Sequence, residues 1–255
     1  RMVGVDICGV DVVCESVQRP LEDQNGGIVE VNAAPGLRMH ISPSYGKGRD
    51  VGQAVIDLMF PEGENGRIPI IAVTGTNGKT TTTALTALLV ERAGRSVRAA
   101  GNIGPTLLQV LAQAQDDQTL PEVWVLELSS FQLETVDAFQ PRVAVFLGVS
   151  PDHLDRYDYK FENYIFSKFR IFQNAGPKTH CITWQEDEVV NQYEKNIPNG
   201  IQHKISFKDP QADAYISEDK ITFHGLWSVD RESLPIKGPH NAINLSAAVL
   251  AAESI

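Results

Sequence analysis

The sequence lacks three features that mark large classes of protein. It contains no run of about eighteen apolar residues, so we expect no transmembrane helix. It has no excess of basic residues, because 22 Lys and Arg stand against 32 Asp and Glu, a net charge of −10. This balance argues against a general nucleic-acid-binding protein, which is usually basic. No basic segment followed by an apolar run opens the chain, so we expect no secretory signal.

Cysteine is scarce as well. Only Cys8, Cys14 and Cys181 occur, an odd number without metal-ligand spacing. We interpret them as buried, reduced thiols of a cytoplasmic protein.

The chain is long enough for one large domain and a piece of another, with 255 residues of which 42% are hydrophobic. A polar, turn-rich segment over 61–67 follows a helical pattern over 51–59, which predicts a domain boundary. We therefore expect a partial domain over 1–60, a linker over 61–67 and a main domain over 68–255. Because the chain starts at Arg1 and ends within an Ala-rich helical pattern, we expect both ends to be cut.

Beyond residue 68, apolar strand patterns alternate with helical patterns. The predicted strands are 68–73, 96–100, 123–128, 142–147 and 179–184, and the helices are 79–93, 106–115, a short one to 138, 162–174, 187–195 and 241–254. This alternation predicts an α/β fold with a doubly wound, mostly parallel sheet. The shorter, more polar strands between 201 and 236 suggest an antiparallel edge extension, and Pro239 is expected to open the last helix.

A glycine-rich segment, T-G-T-N-G-K-T-T over Thr74–Thr81, lies between a predicted buried strand and a helix. Glycines let backbone N–H groups converge on phosphate oxygens, and the helix N-terminus and a lysine add positive charge. The predicted nucleotide-binding residues are Gly75, Thr76, Asn77, Gly78, Lys79, Thr80 and Thr81. The spacing departs from the general P-loop, since Val73 stands where its first glycine would be. ATP with Mg²⁺ is the expected ligand.

Polar residues follow the next predicted strands. Asn102 comes after the second strand, Glu127 and Ser129 end the third, and His153 follows the fourth. Ligands of doubly wound sheets bind outside the carboxyl ends of the strands, so these groups should share one crevice. A carboxylate flanked by apolar residues, as Glu127 is, must be paired or bind a cation, and Mg²⁺ beside a triphosphate fits. The plainer alternatives are a salt-bridged Glu127 and a His153 hydrogen-bonded to the backbone.

Three residues of two predicted helices have weaker signals. From spacing alone, Lys168 is expected to be a solvated helical lysine. Asn241 and Asn244 lie three apart on the first turn of the last helix, where Asn241 would serve equally as an N-cap. Two amides there also suit purine and phosphate binding.

Together these segments resemble the central domain of the Mur ligase family. In chain order they are Thr74–Thr81, Gly101–Gly104, Glu127–Glu134, Asp152–Tyr157, Lys168 and Gly238–Asn244. From Gly101 onward the sequence is most similar to members that add D-glutamate. The similar motifs are L-E-L-S-S-F-Q-L-E over Leu126–Glu134 and D-H-L-D-R-Y over Asp152–Tyr157.

The resemblance implies catalytic and metal-binding roles. Lys79 would hold the β- and γ-phosphates of ATP, and Thr80 with Glu127 would hold one Mg²⁺. His153 would bind a second metal, bridged by Lys168 in its carbamylated form, because only added CO₂ turns that cation into an anionic ligand.

The resemblance also implies binding roles. Asn102 and Ser129 would contact a nucleotide-sugar substrate, and Asn241 and Asn244 would contact the adenine side and the phosphates.

Residues 1–67 resemble a different family, cyanophycin synthetase, at the end of its ATP-grasp domain and the join to its Mur domain. The similar segments are 4–11, 27–36 and 61–69. In ATP-grasp enzymes an E-x-N pair, here Glu30 and Asn32, holds Mg²⁺ on one strand face. Asp11 is either a further ligand or a strand-end acid, and the plainer alternative for the pair is a polar edge-strand face. The segment lacks the lysines and glycine loop needed for its own nucleotide.

These resemblances imply an ATP-dependent carboxylate–amine ligase that works through an acyl phosphate. The expected reaction is D-glutamate addition to UDP-N-acetylmuramoyl-L-alanine, with a nucleotide-sugar peptide and an amino acid as partners. The alternatives are cyanophycin synthesis, which adds arginine to an aspartate side chain on a polymer, and a catalytically silent ATP-binding piece. Because the chain stops before a third Mur domain, we expect ATP binding without complete ligation.

Overall fold

The structure is a computed structural model that describes residues 8–32, 37–59, 68–104, 106–117, 119–197 and 200–255. The chain divides into two compact units, Arg1–Arg67 and Ile68–Ile255. The predicted linker 61–67 lies outside the described residues, as do 4–7 and 33–36 of the ATP-grasp-like motifs.

The first unit is built on a two-stranded antiparallel hairpin of β1 (Gly9–Val13) and β2 (Gly27–Asn32). The loop between the strands is closed by the amide of Gln24, which accepts from the Ser16 N–H at 2.7 Å and donates to three backbone carbonyls. Two helices follow, α1 (Arg38–Ile41) and α2 (Val51–Met59).

The second unit is a nine-stranded sheet with helices on both faces. Its strands are β3 (Ile70–Thr74), β4 (Val97–Gly101), β5 (Val123–Glu127), β6 (Val143–Phe146), β7 (His180–Trp184), β8 (Ile201–Ser206), β9 (Ala214–Ile216), β10 (Lys220–Phe223) and β11 (Trp227–Asp230). Their spatial order is β11-β10-β9-β8-β7-β6-β3-β5-β4. The pairs from β4 to β9 are parallel, and β9-β10-β11 are antiparallel.

The helices of this unit are α3 (Lys79–Arg92), α4 (Leu107–Asp116), α5 (Ser130–Leu133), α6 (Phe161–Phe169), α7 (Glu188–Tyr193) and α8 (Pro239–Glu253). Local sequence explains several of their starts. Thr106 and Gln109 form a capping box at α4, and Pro239 occupies the first turn of α8. The predicted opening of the last helix by Pro239 is therefore confirmed.

Alternate residues of the central strands supply two separate cores, because successive strand side chains point to opposite faces. On one face Ile71 and Val73 of β3 pack with α3 and α8. On the other face Ala72 packs with the apolar side chains of α5, α6 and α7. Strands buried on both faces are continuous apolar runs, as parallel sheets require, and the predicted doubly wound α/β fold is confirmed.

Three expectations on the elements need correction. The antiparallel edge expected between 201 and 236 is confirmed for β10 and β11 but not for β8 and β9, since β8 pairs in parallel with β7 and β9 in parallel with β8. The helix expected to reach 138 ends at Leu133, and the one expected to reach 174 ends at Phe169 and continues as a 3₁₀ turn over Arg170–Phe172. Among the described helices, none is long and apolar enough to cross a bilayer.

Candidate nucleotide site

The glycine-rich loop joins the carboxyl end of β3 to the N-terminus of α3. Thr74 fixes its start, since its hydroxyl donates to the Leu128 carbonyl at 2.8 Å. Gly75 and Gly78 have φ of +155° and +81°. A Cβ on Gly78 would lie 2.2 Å from Asn244 Oδ1, so the loop and α8 meet at a point that only glycine fits.

Lys79 is the first residue of α3 and folds back over the loop. Its ammonium donates to the carbonyl oxygens of Gly75 and Thr76, both at 3.0 Å. Both of these acceptors are uncharged backbone carbonyls, so the charge of Lys79 remains available to an anion at the loop. A lysine at the start of the helix that follows such a loop is placed to bind phosphate.

Glu127, the last residue of β5, is 2% exposed and has both oxygens engaged. Thr80 Oγ1 donates to Oε2 at 2.9 Å, and Asn102 Nδ2 donates to Oε1 at 3.1 Å. Two oxygens on adjacent octahedral positions of Mg²⁺, each about 2.1 Å from the ion, lie about 2.9 Å apart. The spacing of Thr80 Oγ1 and Glu127 Oε2 therefore fits such an ion.

Lys168 is not solvated. It lies in α6 with 2% exposure, and its Nζ donates to the Gly75 carbonyl at 2.9 Å and sits 4.9 Å above the Tyr164 ring. Burial, followed by the charge of Lys79, lowers the pKa of its amine to about 7. The expectation from spacing alone is therefore wrong, because the packing of α6 turns this residue toward the loop.

His153 begins the turn after β6 in a left-handed conformation, with φ of +49°. Its side chain is half exposed and lies 3.5 Å from Asp152 through Nε2, and its ring is 5.2 Å from that of Phe131. The centre of the His153 ring lies 6.4 Å from the centre of the Tyr164 ring, and Lys168 Nζ lies 4.9 Å from that same centre. The structure thus brings His153 and Lys168 to one aromatic side chain.

The remaining predicted residues lie around this centre. Asn244 is buried and donates to Asn241 Oδ1 at 3.3 Å, and Asn241 donates to the Lys237 carbonyl at 2.8 Å. Asn241 therefore does not act as an N-cap, since Gly238 holds that position. The Ser129 hydroxyl is engaged in the capping box of α5 with Gln132.

Other loop residues differ in exposure. Asn77 and Thr80 are exposed, Thr76 and Thr81 are half-buried, and Thr76 binds Ser150 through its hydroxyl at 3.0 and 3.1 Å.

In the first unit, Glu30 pairs across the hairpin with Asp11, and Asn32 pairs with Gly9. Glu30 is exposed and Asn32 half-buried. Within the described parts of the chain, no three His, Cys, Asp or Glu side chains are grouped closely enough to hold a metal ion.

Sequence reasoning missed Tyr164, which is 1% exposed at the centre of the site. Its hydroxyl lies 3.4 Å from Thr76 Oγ1 while its ring faces Lys168. Desolvation raises the pKa of this phenol. The available signal was its position four residues before Lys168, which puts the two on one face of the helix.

A glycine loop between a buried strand and a helix, with a lysine and a carboxylate beside it, defines a P-loop-like nucleotide-binding α/β domain. The family profile described as Mur ligase middle domain matches residues 73–252. The chain belongs to this family, and the resemblance inferred from the motifs is confirmed.

Individual relatives cover different shares of the chain. A UDP-N-acetylmuramoylalanine–D-glutamate ligase of Cytophaga hutchinsonii is 47% identical over 191 residues, 72% of this chain and 41% of that protein. A cyanophycin synthetase of Synechocystis sp. is 34% identical over 252 residues, 90% of this chain and 27% of that protein. The chain thus spans less than half the length of these relatives.

A solved structure of a UDP-N-acetylmuramoyl-L-alanyl-D-glutamate–2,6-diaminopimelate ligase has the same fold. It superposes with a TM-score of 0.59 at 26% identity and covers 79% of this chain and 45% of that one.

Proposed function

We propose that this chain carries the ATP-binding and phosphoryl-transfer centre of an ATP-dependent carboxylate–amine ligase. The observation that supports this best is the convergence of Lys79, Lys168 and the Thr80–Glu127 pair on one loop. These groups come from α3, α6 and the end of β5, and they meet at the carboxyl ends of the strands, where doubly wound folds bind ligands.

The proposed roles follow from charge and position. Lys79 neutralises the β- and γ-phosphates, and Thr80 with Glu127 holds Mg²⁺ through oxygen. The ion supplies charge neutralisation for the phosphoryl group that moves. The substrate carboxylate attacks the γ-phosphorus, ADP leaves, and an amine then displaces phosphate from the acyl phosphate through a tetrahedral intermediate. Lys168, once carbamylated, and His153 hold a second metal.

The proposed substrates are UDP-N-acetylmuramoyl-L-alanine and D-glutamate. Identity to the muramoylalanine–D-glutamate ligase of Cytophaga hutchinsonii, at 47%, supports them over other acceptors. Asn102, which binds Glu127 at 3.1 Å, is the residue proposed to contact the nucleotide-sugar part. Ser129 is proposed beside it.

A second candidate is cyanophycin synthesis. It is favoured by one observation, that a cyanophycin synthetase of Geminocystis herdmanii aligns with 99% of this chain at 34% identity. In that case Glu30 and Asn32 belong to a separate Mg²⁺ site of the first unit, and the acceptor is an aspartate polymer that receives arginine.

Two measurements test these proposals. Calorimetric titration with ATP and Mg²⁺ is expected to give saturable binding, and its absence would overturn the nucleotide site. Phosphate release is then measured with UDP-N-acetylmuramoyl-L-alanine and D-glutamate, and separately with aspartate polymer and arginine. Release with the second set alone would replace the first candidate by the second, and binding without release under either set would favour a silent ATP-binding domain.

A further inference from the structure

Asp187 is a buried carboxylate that the proposed chemistry does not use. It caps α7 and is 9% exposed. Its Oδ1 accepts from the Val190 N–H at 2.8 Å, and the nearby backbone N–H groups of Val189 and Val149 favour its charged form. Desolvation raises its pKa despite these donors. Burying this group is costly, so its position calls for an explanation beyond capping a short helix.

The carboxylate packs directly on the α-carbon of Gly148. This glycine follows β6 with φ of +92°, and a Cβ on it would lie 2.5 Å from Asp187 Oδ2. The Asp187 side chain therefore supports the 148–149 backbone through this close contact, next to the Val149 N–H.

The same backbone segment supports the phosphate loop from its other side. The Thr76 N–H donates to the Gly148 carbonyl at 3.0 Å, and the Leu147 N–H donates to the Thr74 carbonyl at 3.0 Å. The Thr76 hydroxyl accepts from the Ser150 N–H at 3.0 Å. The shape of the loop at Thr76 thus depends on where residues 147–150 lie.

We propose that Asp187 is a positioning residue of the nucleotide site, which sets the phosphate-binding loop through Gly148 and Thr76 without touching the nucleotide. This inference rests on the proposed ATP-binding function and extends it to a residue beyond the loop. Residues 148–149 also lead along the chain to His153, so the contact of Asp187 with Gly148 bears on the position of the turn that begins at His153 as well.

The competing explanation is a purely local N-cap, and serine separates the two. Asp187→Ser retains a good capping oxygen for α7, but its shorter side chain cannot span to both Val149 and Gly148. Asp187→Asn keeps the length and one acceptor oxygen. Thr106→Ala is the matched control, because it removes the N-cap of α4 at a capping box that lies outside the loop supports described above.

The experiment is calorimetric titration of ATP with Mg²⁺ into the 255-residue chain and these variants, with urea unfolding of each. Asp187→Ala and Asp187→Ser are expected to bind ATP about tenfold more weakly, since buried N–H groups lose their acceptor and the loop shifts. Asp187→Asn is expected to recover most of the affinity. Thr106→Ala is expected to bind like the wild type although it also loses stability.

Each outcome decides a different claim. If the wild type fails to bind ATP, the proposed function fails. If the wild type binds but Asp187→Ser binds equally well, Asp187 is only a cap and the positioning role is overturned. If Asp187→Ala does not fold, the comparison of serine with asparagine still answers the question.

Discussion

Lys79 and Lys168 donate to the same acceptor, the carbonyl oxygen of Gly75, at 3.0 and 2.9 Å. One lysine comes from the start of α3 and the other from α6, so the loop carbonyl joins two elements that are remote in sequence. Two ammonium groups on one oxygen repel each other, and an anion at this point relieves the repulsion. The arrangement therefore favours binding of a phosphate group, and it also favours loss of the proton of Lys168, which is buried.

The first prediction concerns the pH dependence of stability. The folded pKa of Lys168, about 7, lies below the unfolded value of about 10.4. Between these values the unfolded state binds more protons, so this residue makes the free energy of unfolding rise with pH by at most about 1.4 kcal/mol per unit. Urea unfolding from pH 7 to 8.5 should show this rise, and Lys168→Met should flatten it. An equal slope in both proteins would show that Lys168 does not titrate near pH 7.

The second prediction concerns carbamylation. CO₂ adds to a neutral amine, and Lys168 is half neutral near pH 7 whereas an exposed lysine is almost entirely charged. We expect ¹³C-bicarbonate to give a carbamate resonance at pH 8 that disappears at pH 6. Lys168→Ala should abolish the resonance, and the exposed control Lys178→Ala should retain it. Persistence of the resonance in Lys168→Ala would assign it to another amine.

The third prediction concerns Lys79. Lys79→Ala removes one of the two ammonium groups at the loop, and a charge-assisted hydrogen bond contributes about 1.5–3 kcal/mol. We therefore expect ATP binding in the presence of Mg²⁺ to weaken by at least about tenfold, measured by calorimetry. Lys178→Ala serves again as the control. An unchanged dissociation constant for Lys79→Ala would contradict the assignment of the phosphate loop.

Much of the site could be predicted from sequence because strand ends obey a simple rule. Glu127 ends a parallel strand, Asn102 and Lys79 come shortly after one, and such strands end at one edge of the sheet. Lys168 follows no strand. Which side of α6 faces the loop depends on how Ile165 and Phe169 pack in the core, and a single residue's spacing carries no such information. Tyr164 was missed for the same reason.

The fold could be predicted where strands are continuous apolar runs, as in β3, β5 and β6. It was predicted wrongly at β8 and β9. Short, polar strands suggested an antiparallel edge there. The connection 207–213 between β8 and β9 is also shorter than the dozen or more residues that parallel crossovers usually need. Besides the parallel ladder itself, the carboxylate of Asp213 joins this connection to β8 by accepting from the Lys204 N–H at 2.8 Å.

The fourth prediction concerns the metal. Glu127→Gln removes the negative charge of the Thr80–Glu127 pair. It also replaces one of the two carboxylate oxygens that accept from Thr80 and Asn102 by an NH₂ group. We expect the Mg²⁺ concentration that half-saturates ATP binding to rise at least about tenfold. Glu122→Gln is the control, since that carboxylate lies beside the start of the same strand and binds Ser96. Equal Mg²⁺ dependence in the two variants would argue against Glu127 as a ligand.

The last prediction separates backbone strain from collision at the phosphate loop. Gly78 and Gly94, at either end of α3, have φ of +81° and +87°, but only Gly78 has a neighbour that a Cβ would strike, Asn244 Oδ1 at 2.2 Å. Gly94→Ala should therefore lower the free energy of unfolding only by the cost of an L-residue in the left-handed conformation, about 1–2 kcal/mol. Gly78→Ala should lower the free energy of unfolding by more, because the collision with Asn244 adds about 1–3 kcal/mol of destabilisation.

Asn244→Ala should recover part of that loss in the Gly78→Ala protein but none in Gly94→Ala, since only contacting residues couple. Urea unfolding of the single and double variants measures the coupling. Additive losses for Gly78 and Asn244 would mean that α8 does not pack on the loop through this amide. A coupling between Gly78 and Asn244, but not between Gly94 and Asn244, would show that α8 packs on the phosphate loop at this point. A nucleotide bound at the loop would then also affect the position of α8.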